Sequence, residues 1–192
     1  MCGVRYLGID PGLSGGIAYV DDDGHANAWP MPATEREILD LLEWLTVPLH
    51  TTATLERVGA TPQMGVVSAF TFGKGYGGLL MALTAAGIPF DQVAPVKWQN
   101  VMEVRTPKER RVELGHKDKN ITKRRAEQLF PKIKVTHAIA DALLLASYAR
   151  RTARLPFDSA SGDPHGKEAR HRHQAQARGQ AGEEVRTTRA GA

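Results

Sequence analysis

The sequence predicts an α/β domain built on a five-stranded mixed sheet, in which three antiparallel strands come first and helical crossovers add two more. Strand-like and helix-like segments follow one another in the order β-β-β-α-β-α-β-α-α. Short turns separate the first three strands, as in antiparallel hairpins, whereas helices separate the later ones. Hydrophobic residues make up 42% of the 192-residue chain and aromatic residues 6%, so we expect a mainly aliphatic core with helices packed on the sheet.

The amino-terminal part contains the three antiparallel strands and the first helix. The turn DPGLSGG separates the first two strands, and DDDG precedes the third. In the helix, apolar residues recur at helical spacing, and Thr34 followed by Glu37 forms a capping box. These four elements are predicted over residues 4–9, 16–20, 25–30 and 34–46.

The following part alternates short strands with helices. The glycine-rich stretch GKGYGG is expected to interrupt one helix, and a polar, charged and aperiodic segment is interpreted as a mobile loop. The last two helices are a basic amphipathic one, ended by Pro131, and a strongly apolar one. The strands are predicted over residues 52–56 and 90–95, the helices over 66–86, 95–102, 119–130 and 136–151, and the loop over 103–117.

Composition divides the chain into a domain over residues 1–155 and a basic tail over residues 156–192. The tail has almost no large apolar residues, so it cannot bury enough surface to offset its ordering entropy and is predicted to be disordered. No apolar run approaches the roughly 18 residues of a membrane span, so no membrane association is expected, and no signal peptide is visible. The single cysteine, Cys2, cannot form an internal disulfide, which fits a reducing cytoplasm.

Charge is distributed unevenly along the chain. Residues 1–96 carry 4 basic and 10 acidic residues, a net charge of −6, whereas residues 97–154 carry 15 basic and 6 acidic residues, a net charge of +9. A basic segment in an otherwise acidic chain indicates a face that binds a polyanion such as nucleic acid. The alternative is an ordinary solvated helical surface.

Three acidic residues occupy positions that a purely structural role explains poorly. Asp10 ends the first strand, Glu56 ends the fourth, and Asp141 lies inside an apolar helix. A buried carboxylate is costly unless it is paired or binds a metal. Each residue has an alternative explanation: Asp10 could stabilise a turn, Glu56 could form an ion pair at the sheet edge, and Asp141 could lie on an exposed stripe.

The predicted topology allows these three residues to share one site. The first and fourth strands become neighbours if the crossover helix covers one face, and the last helix can then bring Asp141 beside both strand ends. Converging carboxylates repel one another unless a hard cation binds them, and oxygen ligands select Mg²⁺ or Mn²⁺. Two such ions about 3.5–4 Å apart would clamp a phosphodiester for attack by water. His137, one helical turn before Asp141, could bind a metal, act on the phosphate, or be structural.

Four segments occur in order along the chain: GIDPGLSGGIA, LERVGATPQMGVVSAFTFGKGYG, PVKWQ and HAIADALLLASYARR. Together they resemble the RuvC-type Holliday junction resolvases over about residues 3–151, and most closely the small RuvC-like nucleases of bacteriophages. The resemblance implies an RNase H-like fold with helices on both faces of the sheet. It also implies a metal-dependent endodeoxyribonuclease that resolves four-way DNA junctions with two divalent ions, Mg²⁺ or Mn²⁺.

The resemblance further implies a homodimer in the cytoplasm of a bacterial or phage-infected cell, with the helix at 66–86 forming part of the dimer interface. Two alternatives stay open: a broader nuclease of DNA forks and flaps, and a non-catalytic junction-binding protein of the same fold. Actin-like ATPases open with a similar strand-turn-strand, but this chain is short for that fold and contains no second phosphate loop.

The resemblance assigns catalytic and metal-binding roles to four residues. Asp10, Glu56 and Asp141 match the three acidic ligands of the family. His137 matches a histidine of the related phage enzymes. Bacterial members usually have their fourth ligand three residues before the final aspartate, at the position of Ala138 here, so His137 is implied to act either as a ligand or beside the ligands.

The resemblance also implies four residues that contact DNA. Lys117 and Lys119, in GHKDKN, are candidates to hold the scissile or an adjacent phosphate, with a solvated loop as the alternative. Phe72 and Lys74 lie in SAFTFGKGYGG, where glycines would let the DNA backbone approach closely, although Phe70 and Phe72 could instead be core or dimer-interface residues. The bacterial enzymes have a junction-stacking phenylalanine three residues after the second acid, where this chain has Gly59; Met64, Phe70 and Phe72 are nearby candidates to replace it.

Overall fold

The structure is a computed structural model that describes residues 3–47, 50–59, 63–105 and 120–153. The strands are β1 (Val4–Asp10), β2 (Gly16–Asp21), β3 (Ala26–Pro30), β4 (His50–Glu56) and β5 (Phe90–Val93). The helices are α1 (Glu35–Leu45), α2 (Val66–Ala85), α3 (Pro95–Val101), α4 (Ile121–Leu129) and α5 (His137–Thr152). The sheet has the order β3-β2-β1-β4-β5; β1, β2 and β3 are antiparallel neighbours, and β4 and β5 are added parallel to β1. This mixed sheet confirms the predicted fold class.

Helices cover both faces of the sheet and form two hydrophobic cores. Because side chains alternate along a strand, Leu7 and Ile9 of β1 point to one face, where they pack with Leu42 of α1 and Leu83 of α2. The opposite face, with Ala18 of β2, packs against α3, α4 and α5. The sheet is therefore the middle layer of an α/β/α arrangement.

Gly8 lets α5 approach the centre of the sheet closely. This residue of β1 points to the face that α5 covers, and a Cβ atom there would collide with the backbone of Ala142 and Ala146. Any side chain would push the helix away from β1, so a glycine is required at this position. The contact determines how near Asp141, which precedes Ala142, lies to the end of β1.

Helix α2 runs without interruption, so the predicted break at GKGYGG is wrong. A glycine costs about 1 kcal/mol relative to alanine inside a helix, but it does not prevent helical geometry as proline does. The carboxyl-terminal half of α2 packs into the core through Leu79, Ala82 and Leu83, and this packing compensates for the low helix propensity. The helix ends just before Gly87, whose φ is 66°.

The other local predictions hold with small shifts. Thr34 and Glu37 form the capping box, in which each side chain accepts a hydrogen bond from the backbone N–H of the other residue. Strand β5 ends at Val93, two residues before the predicted end, because Pro95 already occupies the first turn of α3.

Most of helix α2 is exposed apolar surface. By length and composition α2 could cross a membrane, contrary to the expectation that no apolar run approaches such a span. Only 11% of its 18-residue apolar stretch is buried. Length and composition do not distinguish a membrane helix from one that packs against another protein. The exposed apolar side of α2 is therefore a candidate interaction surface. Its large exposed side chains are Val66, Val67, Phe70 and Met81.

Two predicted features lie outside the described residues. These are the tail over residues 156–192 and the part of the predicted loop that contains Lys117, together with the neighbouring Lys119. The domain boundary near residue 155 therefore stays a prediction.

Candidate active site

Two parallel strands bring Asp10 and Glu56 to the same edge of the sheet. The register pairs Ile9 of β1 with Leu55 of β4. Asp10 and Glu56 are the next and last residues of these strands, so their side chains start from the same level. Glu56 is only 8% exposed and Asp10 is largely buried. The structure thus confirms the prediction that the first and fourth strands are neighbours and end at the same edge of the sheet.

The turn after Asp10 is built to keep side chains away from its carboxylate. Gly12 has φ of 129°, a conformation that side-chain-bearing residues rarely adopt. The backbone N–H of Gly15 donates to the carbonyl oxygen of Gly12 at 3.1 Å and closes the turn. A Cβ atom on Gly15 would collide with the backbone of Asp10 and lie 3.1 Å from its Cγ. Gly15 therefore leaves the approach to this carboxylate open, whereas Gly12 provides the backbone conformation that the turn requires.

Helix α5 adds the third carboxylate and the histidine. Its first turn packs on β2, where a Cβ atom on Gly16 would collide with the carbonyl oxygen of Ala138. Asp141 lies one turn further along and is largely buried, whereas His137 is exposed at the start of the helix. Their spacing of four residues puts both on the same helical face. The structure brings His137 close enough to Asp141 for its charge to lower the pKa of that carboxyl.

The electrostatics of the site show that Asp141 and Glu56 lie close enough for their charges to act on Asp10. Burial, and then the charges of Asp141 and Glu56, raise the pKa of Asp10 to about 7. Burial also raises the pKa of Asp141, and a hydrogen bond with the Thr122 side chain and the charge of His137 oppose that rise. A bound divalent cation would lower these raised pKa values, because it favours the ionised carboxylates. The donor set of carboxylate oxygens fits Mg²⁺ or Mn²⁺.

Sequence reasoning missed Trp98, which holds one oxygen of Glu56 in place. The indole N–H of Trp98 donates to Oε1 of Glu56 at 2.8 Å, and Trp98 is fully buried. A buried tryptophan N–H usually finds an acceptor, and an ionised acceptor makes that bond stronger. The segment PVKWQ contains this residue, but a bond between positions 42 residues apart is not visible in a linear pattern.

The predicted DNA-contacting residues of α2 lie beside these acids rather than among them. Lys74 is exposed, and its Nζ lies 3.8 Å from Oε1 of Glu35 in α1. Phe72 is half-buried and lines a cleft that also includes Pro11, the residue after Asp10. Phe70 is 74% exposed, so it is not a core residue.

A second acidic group lies at the other end of the sheet. In the described part of the chain, Asp21, Asp23 and His25 have ligand atoms that all lie within 4.8 Å of one another. Asp21 pairs with Arg5 near the start of β1, opposite to the end that carries Asp10. Its Oδ1 accepts the backbone N–H of His25 at 2.8 Å, so the turn before β3 already explains the grouping.

Comparison with known proteins supports the fold. No protein-family model and no curated protein sequence matches the chain. A solved structure of Thermus thermophilus RuvC in complex with a Holliday junction substrate is 16% identical, with a TM-score of 0.51, over 78% of this chain and 96% of that one. A second Thermus thermophilus RuvC structure is also 16% identical, with a TM-score of 0.49, over 77% and 95% of the two chains. The chain therefore has a RuvC-like, RNase H-like fold, with three carboxylates gathered at one edge of its sheet.

Proposed function

We propose that this protein is a metal-dependent, structure-specific endodeoxyribonuclease that resolves four-way DNA junctions. The observation that carries the proposal is that Asp10 and Glu56 end neighbouring parallel strands, with Asp141 of α5 near enough for its charge to act on Asp10. Three neighbouring carboxylates repel one another, and binding divalent cations is the function that offsets this repulsion. The RuvC-like fold favours junction DNA as the substrate, since one similar structure is a RuvC complex with a Holliday junction.

In this proposal the chain itself holds and orients the reacting groups. Asp10, Glu56 and Asp141 would hold two divalent ions, Mg²⁺ or Mn²⁺, and Trp98 keeps Oε1 of Glu56 in one orientation. When bound, such ions activate a water and stabilise the charge that develops on the scissile phosphate. His137 lies at the mouth of the site, where it acts as a further ligand or donates to the phosphate. The products are ends with a 5′-phosphate and a 3′-hydroxyl.

DNA binding in this proposal depends on the basic segment and on α2. The net charge of +9 over residues 97–154 provides the polyanion-binding face, to which Lys117 and Lys119 would contribute. Lys74 and Phe72 of α2 would contact the same DNA. We place the protein in the cytoplasm of a bacterial or phage-infected cell, where such DNA occurs.

A broader activity on forks and flaps is the second candidate, and Gly59 favours it. The position that carries the junction-stacking phenylalanine in the bacterial enzymes has no side chain here, and no atom of the described residues lies within 4 Å of a Cβ atom built there. Without that aromatic wedge, selection of a four-way centre over other branch points is weaker. A non-catalytic junction-binding protein is the third candidate, but it gives the three neighbouring acids no role.

Cleavage of synthetic DNA tests these candidates. The wild-type protein and the Asp10→Asn variant are incubated with four-way junction, fork, flap and duplex DNA in Mg²⁺ or Mn²⁺. We expect wild type to cut branched DNA and Asp10→Asn to bind it without cutting. Asp23→Asn is the matched control, because it changes an acid of the group at the opposite end of the sheet. Equal cutting by wild type and Asp10→Asn, or loss of cutting in Asp23→Asn, contradicts the proposed site.

We also propose that the protein is a homodimer assembled through α2. Four residues at helical spacing, Val66, Phe70, Gly73 and Gly77, lie on one exposed face that continues to Met81. Within the described parts of the chain, a Cβ atom on either glycine meets nothing within 4 Å, so a second helix can approach the backbone closely there. Burying this face against a second copy removes it from water and presents two active sites to the two strands that a junction requires cutting.

The molar mass in solution tests the dimer. Phe70→Glu puts a charge at the centre of the exposed face, and we expect light scattering to show a monomer for this variant and a dimer for wild type. Val47→Glu is the control, since Val47 is also exposed and apolar but lies after α1. A monomeric wild type, or equal dissociation of both variants, contradicts the assignment.

A further inference from the structure

Glu103 follows helix α3 in a backbone conformation that favours glycine. Its φ is 59°, and within the described parts of the chain no other residue except glycine has a positive φ. The backbone N–H of Glu103 donates to the carbonyl oxygen of Asn100 at 3.2 Å. The backbone N–H of Val104 donates to the carbonyl oxygen of Gln99 at 2.9 Å. These two bonds form a Schellman motif, in which glycine is the usual residue at the position of Glu103. A residue with a side chain is strained in this conformation, and such an outlier is a guide to function.

The carboxylate of Glu103 forms an ion pair with Arg125 of α4. Nη2 of Arg125 donates to Oε2 of Glu103 at 3.0 Å. The Arg125 side chain is 27% exposed, and its Nε is shielded from solvent with no hydrogen-bond partner among the described residues. The Glu103 side chain is 74% exposed. Such a partly exposed ion pair contributes little to the free energy of unfolding, so stability does not account for the strained glutamate.

Helix α4, which carries Arg125, also reaches the candidate active site. Thr122 lies three residues before Arg125, about one turn away along the helix, and its side chain has a hydrogen bond with Asp141. Ala126 of α4 is fully buried in the core that α5 also lines. The position of α4 therefore affects the direction from which Thr122 supports the carboxylate of Asp141.

Helix α3 supports the second acid in the same way. The indole N–H of Trp98 in α3 donates to Oε1 of Glu56 at 2.8 Å. Glu103 lies two residues beyond the end of this helix, so its ion pair links the helix that bonds Glu56 to the helix that bonds Asp141. Hydrophobic packing between the two helices is not directional, whereas hydrogen-bonded contacts prefer a narrow range of distances and angles.

We propose that the Glu103–Arg125 ion pair positions Glu56 and Asp141 relative to each other for cation binding. Glu103 and Arg125 are positioning residues, because they act through the residues that bond the two acids and touch neither acid themselves. The inference rests on the proposed nuclease function and adds positioning residues to the same site. Without the ion pair, α3 and α4 can shift independently, and the two carboxylates then bind a cation less tightly.

Replacing Glu103 by glycine separates positioning from stability. Glycine relieves the backbone strain, so we expect Glu103→Gly to keep or raise the urea midpoint of unfolding, measured with a chelator present. The same variant should bind Mn²⁺ roughly threefold to tenfold more weakly in calorimetry without DNA, below the usual loss for a group that bonds a metal ligand directly. Single-turnover cleavage at limiting Mn²⁺ should slow by a similar factor, whereas affinity for the four-way junction should not fall.

A double-variant cycle tests the ion pair itself. Arg125→Met keeps an aliphatic side chain but removes the guanidinium, so it should weaken Mn²⁺ binding as Glu103→Gly does. The double variant should bind Mn²⁺ no more weakly than either single variant, because the two residues act through one contact. Glu127→Gln is the matched control: Glu127 pairs with Lys123 within α4 at 3.6 Å, so this variant breaks an ion pair that does not link α4 to α3. We expect Glu127→Gln to keep the wild-type Mn²⁺ affinity.

The outcomes separate this inference from the function on which it rests. Wild-type Mn²⁺ affinity in Glu103→Gly, or additive losses in the double variant, overturns the positioning pair and leaves the proposed nuclease standing. Weaker Mn²⁺ binding with a lower urea midpoint also overturns the pair, because general loosening of the fold then explains the loss. An equal loss in Glu127→Gln overturns it as well, since the change in charge alone then suffices. Failure of wild type to bind Mn²⁺ or to cut branched DNA overturns the proposed nuclease and the positioning pair with it.

Discussion

Replacing Asp10 by asparagine is expected to stabilise the metal-free protein while abolishing cleavage. Asp10 is largely buried and lies near Asp141 and Glu56, so its ionised form is unfavourable in the folded chain without a cation. Asparagine has nearly the same shape and carries no charge. The variant therefore removes the repulsion but also removes a carboxylate oxygen that the proposed ions need.

The magnitude follows from the raised pKa. The carboxyl of Asp10 has a pKa of about 7 in the folded chain, against an ordinary value of 3.8. Between these values the folded protein binds a proton that the unfolded protein has released, so the free energy of unfolding falls as the pH rises from 4 to 7. At about 1.36 kcal/mol per pKa unit, the loss is on the order of 4 kcal/mol above pH 7. For a chain of this size that corresponds to a melting temperature lower by roughly 10 °C.

Thermal and urea unfolding measure this effect in the presence of a chelator at pH 4, 6 and 8. We compare wild type with Asp10→Asn, because the difference cancels the titration of acids that do not interact with Asp10. We expect the two to be similar at pH 4 and Asp10→Asn to be more stable by several kcal/mol at pH 8. Adding Mg²⁺ at pH 8 should stabilise wild type more than Asp10→Asn, since bound cations oppose the repulsion. Asp23→Asn, which changes an exposed acid, should follow wild type at every pH.

Two results would refute this reasoning. One is a difference between wild type and Asp10→Asn that does not change between pH 4 and pH 8, which would mean that Asp10 is not buried against other charges. The other is a Mg²⁺ effect of the same size in both proteins, which would place the cation elsewhere.

Three further predictions follow from single contacts. Trp98→Phe removes the N–H that bonds Glu56, so Mg²⁺ affinity measured by calorimetry should fall about tenfold or more; unchanged affinity would show that Glu56 needs no such support. Gly8→Ala would place a Cβ atom against the backbone of α5, so the urea midpoint of unfolding should fall strongly. Gly59→Ala, where no described atom lies within 4 Å, should leave the midpoint nearly unchanged. Equal midpoints for the two variants would contradict the close packing of α5 on β1. Gly59→Phe should fold normally and raise the ratio of junction to flap cleavage, and a fixed ratio would show that an aromatic wedge there is irrelevant.

The local elements were predictable because their signals are local. Alternating and helical periodicity located the strands and helices to within a few residues, and the Thr34–Glu37 capping box marked the start of α1. The break predicted in α2 was wrong because glycine propensity is a local quantity, whereas Leu83 and its neighbours anchor the helix by packing against the sheet and α1.

The sequence alone determined where three acids fall relative to apolar segments, and this was enough to suggest that Asp10, Glu56 and Asp141 share a site. The tertiary structure decided the environment that gives the site its chemistry: the burial that raises the pKa of Asp10 and the bond from Trp98. Periodicity records which face of an element is apolar. Burial, hydrogen bonds and cavities depend on residues far apart in the chain, so they exist only once α2, α3 and α5 have packed against the sheet.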